Sequence, residues 1–470
     1  MIDSPASGGH PTTERPDVIV VGAGFAGVAA ATALAEQGAR VMVLETRQRP
    51  GGRAYSWSDP KTGEIFDNGQ HVLASFYDET LRLLDRLGTT AALEADPTFR
   101  MRLWERGRGE FEIKCPDLPA PFHWLAAVGG CPRFSTAARI TAMTLHPRAK
   151  ALLAAANGHG GAATANGTPT VARWLHHGPG SDDLAAVLGP VALAALNEHP
   201  EEGSAVLFAR VLDRLFAAPA TKSGLALARK GLGDLIEGFE EYVETRGGSV
   251  WYRATVLGVR IESGRAVGVS LLGGDRVPAG AVILTVPHER IPWLLRPEFA
   301  APYAALAATP WSPIVSTVHV FDRPILPSRF VGMVGTKTQW AFDRGPVVSA
   351  QAANARGGHA VGTVRSAAFA DAEREPRAIA DTTTADLREA FAPARDANLL
   401  SSRVYKERRA TLRATPAVQP LRPPTITAVE RLFLAGDWTD TGLPPTIESA
   451  VLSGHRAAAA AMAGAVEAAK

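Results

Sequence analysis

Residues 17–27 read DVIVVGAGFAG, and the fold is decided there. Four β-branched residues, Val18 to Val21, predict a strand that ends at Gly22. Gly22, Gly24 and Gly27 then stand at G-x-G-x-x-G spacing, and Phe25 and Ala26 open an Ala-rich helix that runs to Gln37 and stops at Gly38. Residues 41–44 (VMVL) are a second apolar strand, closing a strand–helix–strand unit. The first glycine permits a tight turn, the second lets the backbone approach a pyrophosphate, and the third lets helix and strand pack. The helix start offers unpaired N–H groups and a positive dipole end to an anion. Glu45, eighteen residues after Gly27, stands where a carboxylate accepts hydrogen bonds from a ribose. The alternative is a glycine-rich turn in a plain α/β domain.

Moving outward, Thr46 and Arg47 follow the acid, and then Gly51-Gly52-Arg53. Small residues there let the chain run close to a cofactor, and Arg53 is suited to neutralise phosphate charge. A surface turn with a solvated arginine is the bland reading. The strand-like stretch 250–260, with Val256 inside it, and its neighbour 266–272 read as a meander covering the cofactor. Near the C-terminus Leu434-Ala-Gly436-Asp437 ends another strand, and Pro444-Pro445-Thr446-Ile447-Glu-Ser449 opens a long Ala-rich helix.

The Gly51-Gly52-Arg53 and Gly436-Asp437 segments resemble the amine oxidase and carotenoid desaturase flavoprotein superfamily. The run Asp67-Asn68-Gly69-Gln70-His71, the 77–84 segment, Glu201 to Ala205 and the run 435–450 resemble its squalene-associated branch, the hydroxysqualene dehydroxylases. The resemblance implies FAD as cofactor, with Asp437 on a ribityl hydroxyl and the last helix aimed at the pyrimidine edge of the flavin. It implies an α/β fold: a Rossmann-type, GR2-like FAD-binding domain with an inserted α+β substrate-binding domain and a helical region. The cofactor domain is expected to be discontinuous (17–75, 225–287 and 416–470), with 76–224 and 288–415 forming the substrate domain and 1–16 a disordered lead. The implied reaction is reductive removal of the allylic hydroxyl of hydroxysqualene to give squalene, a step of squalene and hopanoid biosynthesis. The implied partners are an apolar C30 isoprenoid substrate and an electron donor the sequence does not identify. The rival readings are a carotenoid desaturase or isomerase, an amine oxidase, and a non-enzymatic prenyl-lipid escort.

Dehydroxylation needs an acid. His71 can carry a proton near neutral pH, and Asp67 can orient it or donate itself if burial raises its pKa. The bland reading makes Asp67 a loop holder and His71 a packed core side chain. Asp440 is a weaker candidate, with a turn carboxylate capping the last helix as its alternative. A tunnel is expected from Phe122, Trp124, Leu125, Phe208, Leu212, Leu215 and Phe216, all of which also read as core. Residues 116–128 (PDLPAPFHWLAAV) read as a surface-dipping segment or a buried loop.

The 470 residues, 46% hydrophobic and 20% charged, describe a globular chain of two or three units. A net charge of +2 with no basic stripe gives no footprint for nucleic acid. Cys115 and Cys131 form no metal-ligand spacing, so no metal is expected, and a reduced cytoplasmic compartment is expected with peripheral contact at the inner membrane surface left open. The first sixteen residues lack the pattern of a secretory signal, and no run of about 18 apolar residues occurs.

Overall fold

The computed structural model describes residues 15–58, 65–158, 167–347 and 357–467. The sequence expectations for 1–14 and for most of the 157–168 loop lie outside them.

The short apolar runs become a five-stranded parallel sheet in the order Ser249–Trp251, Val41–Leu44, Val18–Val21, Ala281–Leu284, Leu432–Leu434. Every residue of the four inner and outer runs 18–21, 41–44, 281–284 and 432–434 is buried, as a parallel sheet covered on both faces requires. Val21 pairs with both Leu44 and Leu284, Leu44 with Trp251, and Leu284 with Leu434, so the strand ends form one row. The residues just beyond that row (Gly22, Glu45, Thr285 and the 435–437 turn) therefore share one edge, the carboxyl edge where open α/β sheets bind ligands. Helix Phe25–Glu36 is buried over nearly its whole length and packs along the C-terminal helix Ile447–Glu467. Their approach is close: a Cβ on Gly454 would stand 2.9 Å from the Cβ of Ala29.

The stretch 250–260 is not one strand. Ser249–Trp251 joins the parallel sheet, Arg253 turns with φ 55°, and Val256–Glu262 begins an antiparallel meander with Arg265–Leu271 and Arg276–Pro278. The split reflects a change of pairing partner, which the run of strand-forming residues does not encode. Likewise residues 281–284 enter the parallel sheet rather than the covering meander.

A second, seven-stranded sheet has the order Leu399–Leu412, Trp311–Phe321, Gly358–Arg365, Trp340–Val347, Phe330–Val334, Arg100–Glu105, Gly109–Lys114. It is mixed, with 330–334 and 100–105 parallel. One face packs on helix Pro376–Ala390 through Phe321, Val361, Ala341 and Leu387. The other carries Ile314, Val364, Trp340, Phe342 and Phe330 into the largest apolar core, shared with the helical region 122–217. The long helices of that region are Leu145–Gly158, Ser181–Leu196 and Ala205–Ala217. Cys115 and Cys131 are buried and free. Among the described residues no helix is long and apolar enough to cross a membrane.

Candidate cofactor and active site

The turn after the first strand is a prepared anion cradle. Gly22 has φ +104°, a region that favours glycine, and a Cβ on it would lie 2.7 Å from Thr285 Oγ1. A Cβ on Gly27 would run into the Gly22 carbonyl oxygen. Gly24 differs: its backbone is extended, and its missing Cβ would meet nothing nearer than Gly52 Cα at 3.9 Å. Gly24 thus adds no side chain at the start of helix Phe25–Glu36, and among the described residues no side chain caps it there. Glu45, buried at the tip of its strand, accepts the Ala23 N–H at 2.8 Å on one oxygen and the Arg47 N–H at 2.8 Å on the other. Each oxygen keeps a second lone pair for a ribose hydroxyl. Arg253 and Ala254 hydrogen bond to the carbonyls of Arg47 and Glu45, and Thr46 Oγ1 to Thr255 Oγ1, which brings Val256 beside this end.

The glycine loop continues into the second motif. Gly51 N–H donates to the Ala23 carbonyl at 2.8 Å, and Gly52 stacks against Gly24. Arg53 does not reach toward the helix start. Its guanidinium donates to Asp437 Oδ1 at 2.5 Å and to the Ala410 carbonyl at 2.9 Å, above the Trp311 ring. A carboxylate therefore meets the charge that the sequence reading assigned to phosphate. Gly436 donates its N–H to Ser453 Oγ at 2.7 Å. Thr446 Oγ1 accepts the Ser449 N–H and so caps the C-terminal helix, leaving the N–H groups of Ile447 and Glu448 available to a ligand. Pro445 and Ser449 are buried, and Ser449 Oγ pairs with Thr441 Oγ1 at 2.6 Å.

The 67–71 segment is tied down from both sides. Asp67 Oδ1 accepts from Ser56 Oγ (2.6 Å) and Leu232 N–H (3.0 Å), and Oδ2 lies 3.5 Å from Arg344. Asp67 is thus a loop holder, and none of these bonds reaches His71. Asn68 binds back to Arg53 and Tyr55, and Gln70 Oε1 accepts from Arg344 at 2.7 Å. His71 Nδ1 lies 2.8 Å from the Gly69 carbonyl, which makes Nδ1 the protonated nitrogen of the neutral ring and leaves Nε2 with a free lone pair. Burial lowers the pKa of His71 below the ordinary histidine value, so the ring carries no proton on Nε2 at rest near pH 7. Asp440 is corrected too. It is exposed, and its carboxylate accepts the Gly442 N–H within its own turn at 3.3 Å; Thr446, not Asp440, caps the last helix.

The expected tunnel residues separate. Trp124, Phe208, Leu212, Leu215 and Phe216 are buried in the main core, with the Trp124 indole N–H on the Leu215 carbonyl at 3.0 Å. Phe122 and Leu125 are 60% and 37% exposed, because helix Phe122–Gly130 turns His123, Trp124 and Ala127 inward instead. Trp438 is buried under the parallel sheet with its N–H on the Val286 carbonyl, so it offers no aromatic wall for an amine.

Three contributors escaped the sequence reading. Arg422 is buried and donates to the carbonyls of Asp437 (2.9 Å), Thr439 (2.6 Å) and Leu443 (2.7 Å), fixing the turn before the last helix; burial pulls its pKa down to about 10. Glu448 is 1% exposed and accepts from the N–H groups of Glu79 and Thr80, from Thr80 Oγ1 and from Arg214. One carboxylate thereby joins two helix starts and the helical region. Beside it a cavity of about 20 Å³ is lined by Phe76, Tyr77, Val211, Arg214 and Thr446, and burial pushes the Tyr77 hydroxyl up to about 12. His288, wholly buried, sits against Trp311 at 4.4 Å with Nε2 3.2 Å from the Thr309 carbonyl. Only Glu448 carried a signal, as an acid in the first turn of a helix.

A glycine-rich turn, a buried carboxylate at a strand end and a capped helix start lie along one sheet edge, the arrangement expected of a flavin-dependent oxidoreductase. The chain belongs to the family described as flavin containing amine oxidoreductase, which it matches over residues 25–462. Its cofactor is FAD, and the side-chain-free Gly24, the helix start that no side chain caps among the described residues and the spare lone pairs of Glu45 fit that group. A hydroxysqualene dehydroxylase of Rhodopseudomonas palustris is 33% identical over 453 residues, covering 94% of this chain and 97% of that protein. A 15-cis-phytoene desaturase of an Oncidium hybrid cultivar is 26% identical, covering 94% and 77%. The cyclohexylamine oxidase of Brevibacterium oxydans shares the fold with a TM-score of 0.64 at 18% identity, covering 97% and 100%. Membership of a flavin oxidoreductase family sets aside the escort reading.

Proposed function

We propose that this protein removes the allylic hydroxyl of hydroxysqualene to give squalene. The observation that carries the reading is the near-full-length likeness to the dehydroxylase of Rhodopseudomonas palustris. The reaction replaces C–OH by C–H: the hydroxyl leaves as water after gaining a proton, and a hydride arrives at the allylic carbon. Reduced FAD, when bound, supplies the hydride. The chain's own residues hold the cofactor through Gly24, Glu45, Asp437 and the start of the last helix, and they exclude water behind the apolar core of the helical region.

His71 is the proposed proton carrier. Its Nδ1–H is engaged by Gly69, so Nε2 is the atom that takes up a proton and passes it to the departing hydroxyl. The lowered pKa makes its imidazolium a strong acid that is scarce at neutral pH, so turnover rises as the pH falls below about 6.5, the ordinary histidine value. His71→Ala at full flavin loading is expected to lose turnover roughly a hundredfold or more; unchanged turnover would remove the role.

Phe122 and Leu125 on helix Phe122–Gly130, Ile140 and Met143 on helix Thr136–Met143 packed against it, and Leu118 in the loop before them are large exposed apolar side chains, an arrangement that supports docking on a lipid surface where the substrate resides. Cosedimentation with phospholipid vesicles that survives high salt but is lost on Phe122→Glu is the expected result.

The test of the reaction is anaerobic. The protein is photoreduced and mixed with hydroxysqualene, and flavin reoxidation is followed with product mass spectrometry. Reoxidation with squalene formed is expected. A flavin that stays reduced would transfer the assignment to a desaturase acting oxidatively on a polyene, the reading that the phytoene desaturase likeness supports.

A further inference from the structure

Ser316 lies in the middle of strand Trp311–Phe321, on the face turned toward the helical region. Its register partners are Val364 on one side and Tyr405 on the other, and Ile314 and Val318 flank it on the same face. It is 5% exposed, and its Oγ has no hydrogen-bond partner among the described residues. A buried hydroxyl in that state is costly and calls for an explanation. The surroundings supply one. The point where a Cβ on Gly69 would stand is 3.4 Å from Ser316 Oγ, so the hydroxyl faces the backbone of the 67–71 segment. That same glycine's carbonyl holds His71 Nδ1 and leaves Nε2 free.

We propose that Ser316 is the specificity-determining residue that hydrogen bonds the single hydroxyl of a long isoprenoid alcohol beside His71. The inference rests on the dehydroxylase reading and names how that site tells alcohol from hydrocarbon. An alcohol brings a polar atom that Ser316 can pair with, and a hydrocarbon brings none. Bound alcohol satisfies Ser316, whereas bound hydrocarbon leaves it unpaired, so the wall favours substrate over deoxygenated product. Trp340 Nε1 is a second unpartnered donor on the same face, and its ring lies over Gly332 beside Leu103. Of these two atoms among the described residues, Ser316 Oγ is the one found against Gly69.

The test is binding to the holoprotein with oxidised flavin, so that no turnover occurs. Hydroxysqualene and squalene are titrated separately, and the perturbation of the flavin absorbance band is read. Wild type is expected to prefer the alcohol by about tenfold, the worth of one hydrogen bond. Ser316→Ala is expected to lose that preference while squalene affinity is unchanged. Because the hydroxyl has no partner within the protein, the alanine variant should melt at the same temperature as wild type or higher. Ser316→Thr, which keeps a hydroxyl, should retain preference for the alcohol. An alanine variant that keeps the preference, weakens both ligands equally, or melts markedly lower overturns the assignment of Ser316 and leaves the dehydroxylase reading standing. A wild-type protein that does not discriminate the two ligands overturns both.

Discussion

Arg422 shows how much a single buried cation can organise. Three main-chain carbonyls of the 437–443 turn converge on its guanidinium, and that turn presents both Asp437 and the start of the last helix. Arg422→Met would leave three buried acceptors without donors. The expected loss is about 3 kcal/mol or more, since each charge-assisted bond is worth roughly 1.5–3 kcal/mol. Urea unfolding followed by flavin fluorescence should show a lower midpoint and early flavin release; an unchanged midpoint would remove the organising role. Asp67 makes the complementary point. Its residue type and its place in the 67–71 run suggested chemistry, yet its oxygens are engaged by Ser56, Leu232 and Arg344. Residue type names the chemistry available, and only the partners decide whether it is used to hold a loop or to act on a ligand.

The helix Phe25–Glu36 separates two demands on its glycines. Gly27 serves packing: its Cβ would collide with the Gly22 carbonyl and lie 2.9 Å from Thr285 Oγ1. Gly24 is free of that crowding, its Cβ meeting nothing nearer than Gly52 Cα at 3.9 Å, and is the glycine proposed to serve the ligand. Gly27→Ala is therefore expected to destabilise the fold by about 1–3 kcal/mol through overpacking, with loss of flavin as a consequence. Gly24→Ala should change stability by about 0.5 kcal/mol or less and still purify with far less FAD, at least tenfold weaker in affinity. Circular dichroism melts paired with the ratio of flavin to protein absorbance separate the two effects. Equal behaviour of the two variants would contradict the division. Elements of this kind were legible because glycine spacing and β-branched runs act locally. The 249–262 stretch was not, since Ser249–Trp251 and Val256–Glu262 have similar composition and differ only in the strands they meet.

Across the whole molecule, burial shapes the response to acid. His71, His123, His288, His319 and His455 all have pKa values pulled below the ordinary value by burial, His319 to about 4. The unfolded chain, with histidines near 6.5, therefore binds more protons than the folded one between about pH 6.5 and 4. Their contribution to stability is complete above pH 6.5 and is lost as the pH falls through the folded values. Thermal unfolding should show a melting temperature that is level from pH 7 to 8 and declines steadily from pH 6.5 to 4.5. A flat profile across that window would mean that these rings titrate freely in the folded state.

The sequence alone determined the strands at 18–21 and 41–44, the glycine turn between them with Glu45 beyond, and the start of the last helix. Those features follow from short-range rules: strand runs of buried β-branched residues, glycines where the backbone must turn or approach closely, and an acid at a fixed distance along one strand–helix–strand unit. That the segments near 20 and near 437 meet at one sheet was legible too, because both were read as serving one cofactor. The tertiary structure alone decided the rest. It turned Arg53 to Asp437, put Phe122 and Leu125 outside, made Asp440 a surface turn, and set an unpaired Ser316 hydroxyl against Gly69. Each of these depends on which distant segment supplies the neighbouring atom, and partner choice across hundreds of residues is a property of packing that no local pattern of side chains records.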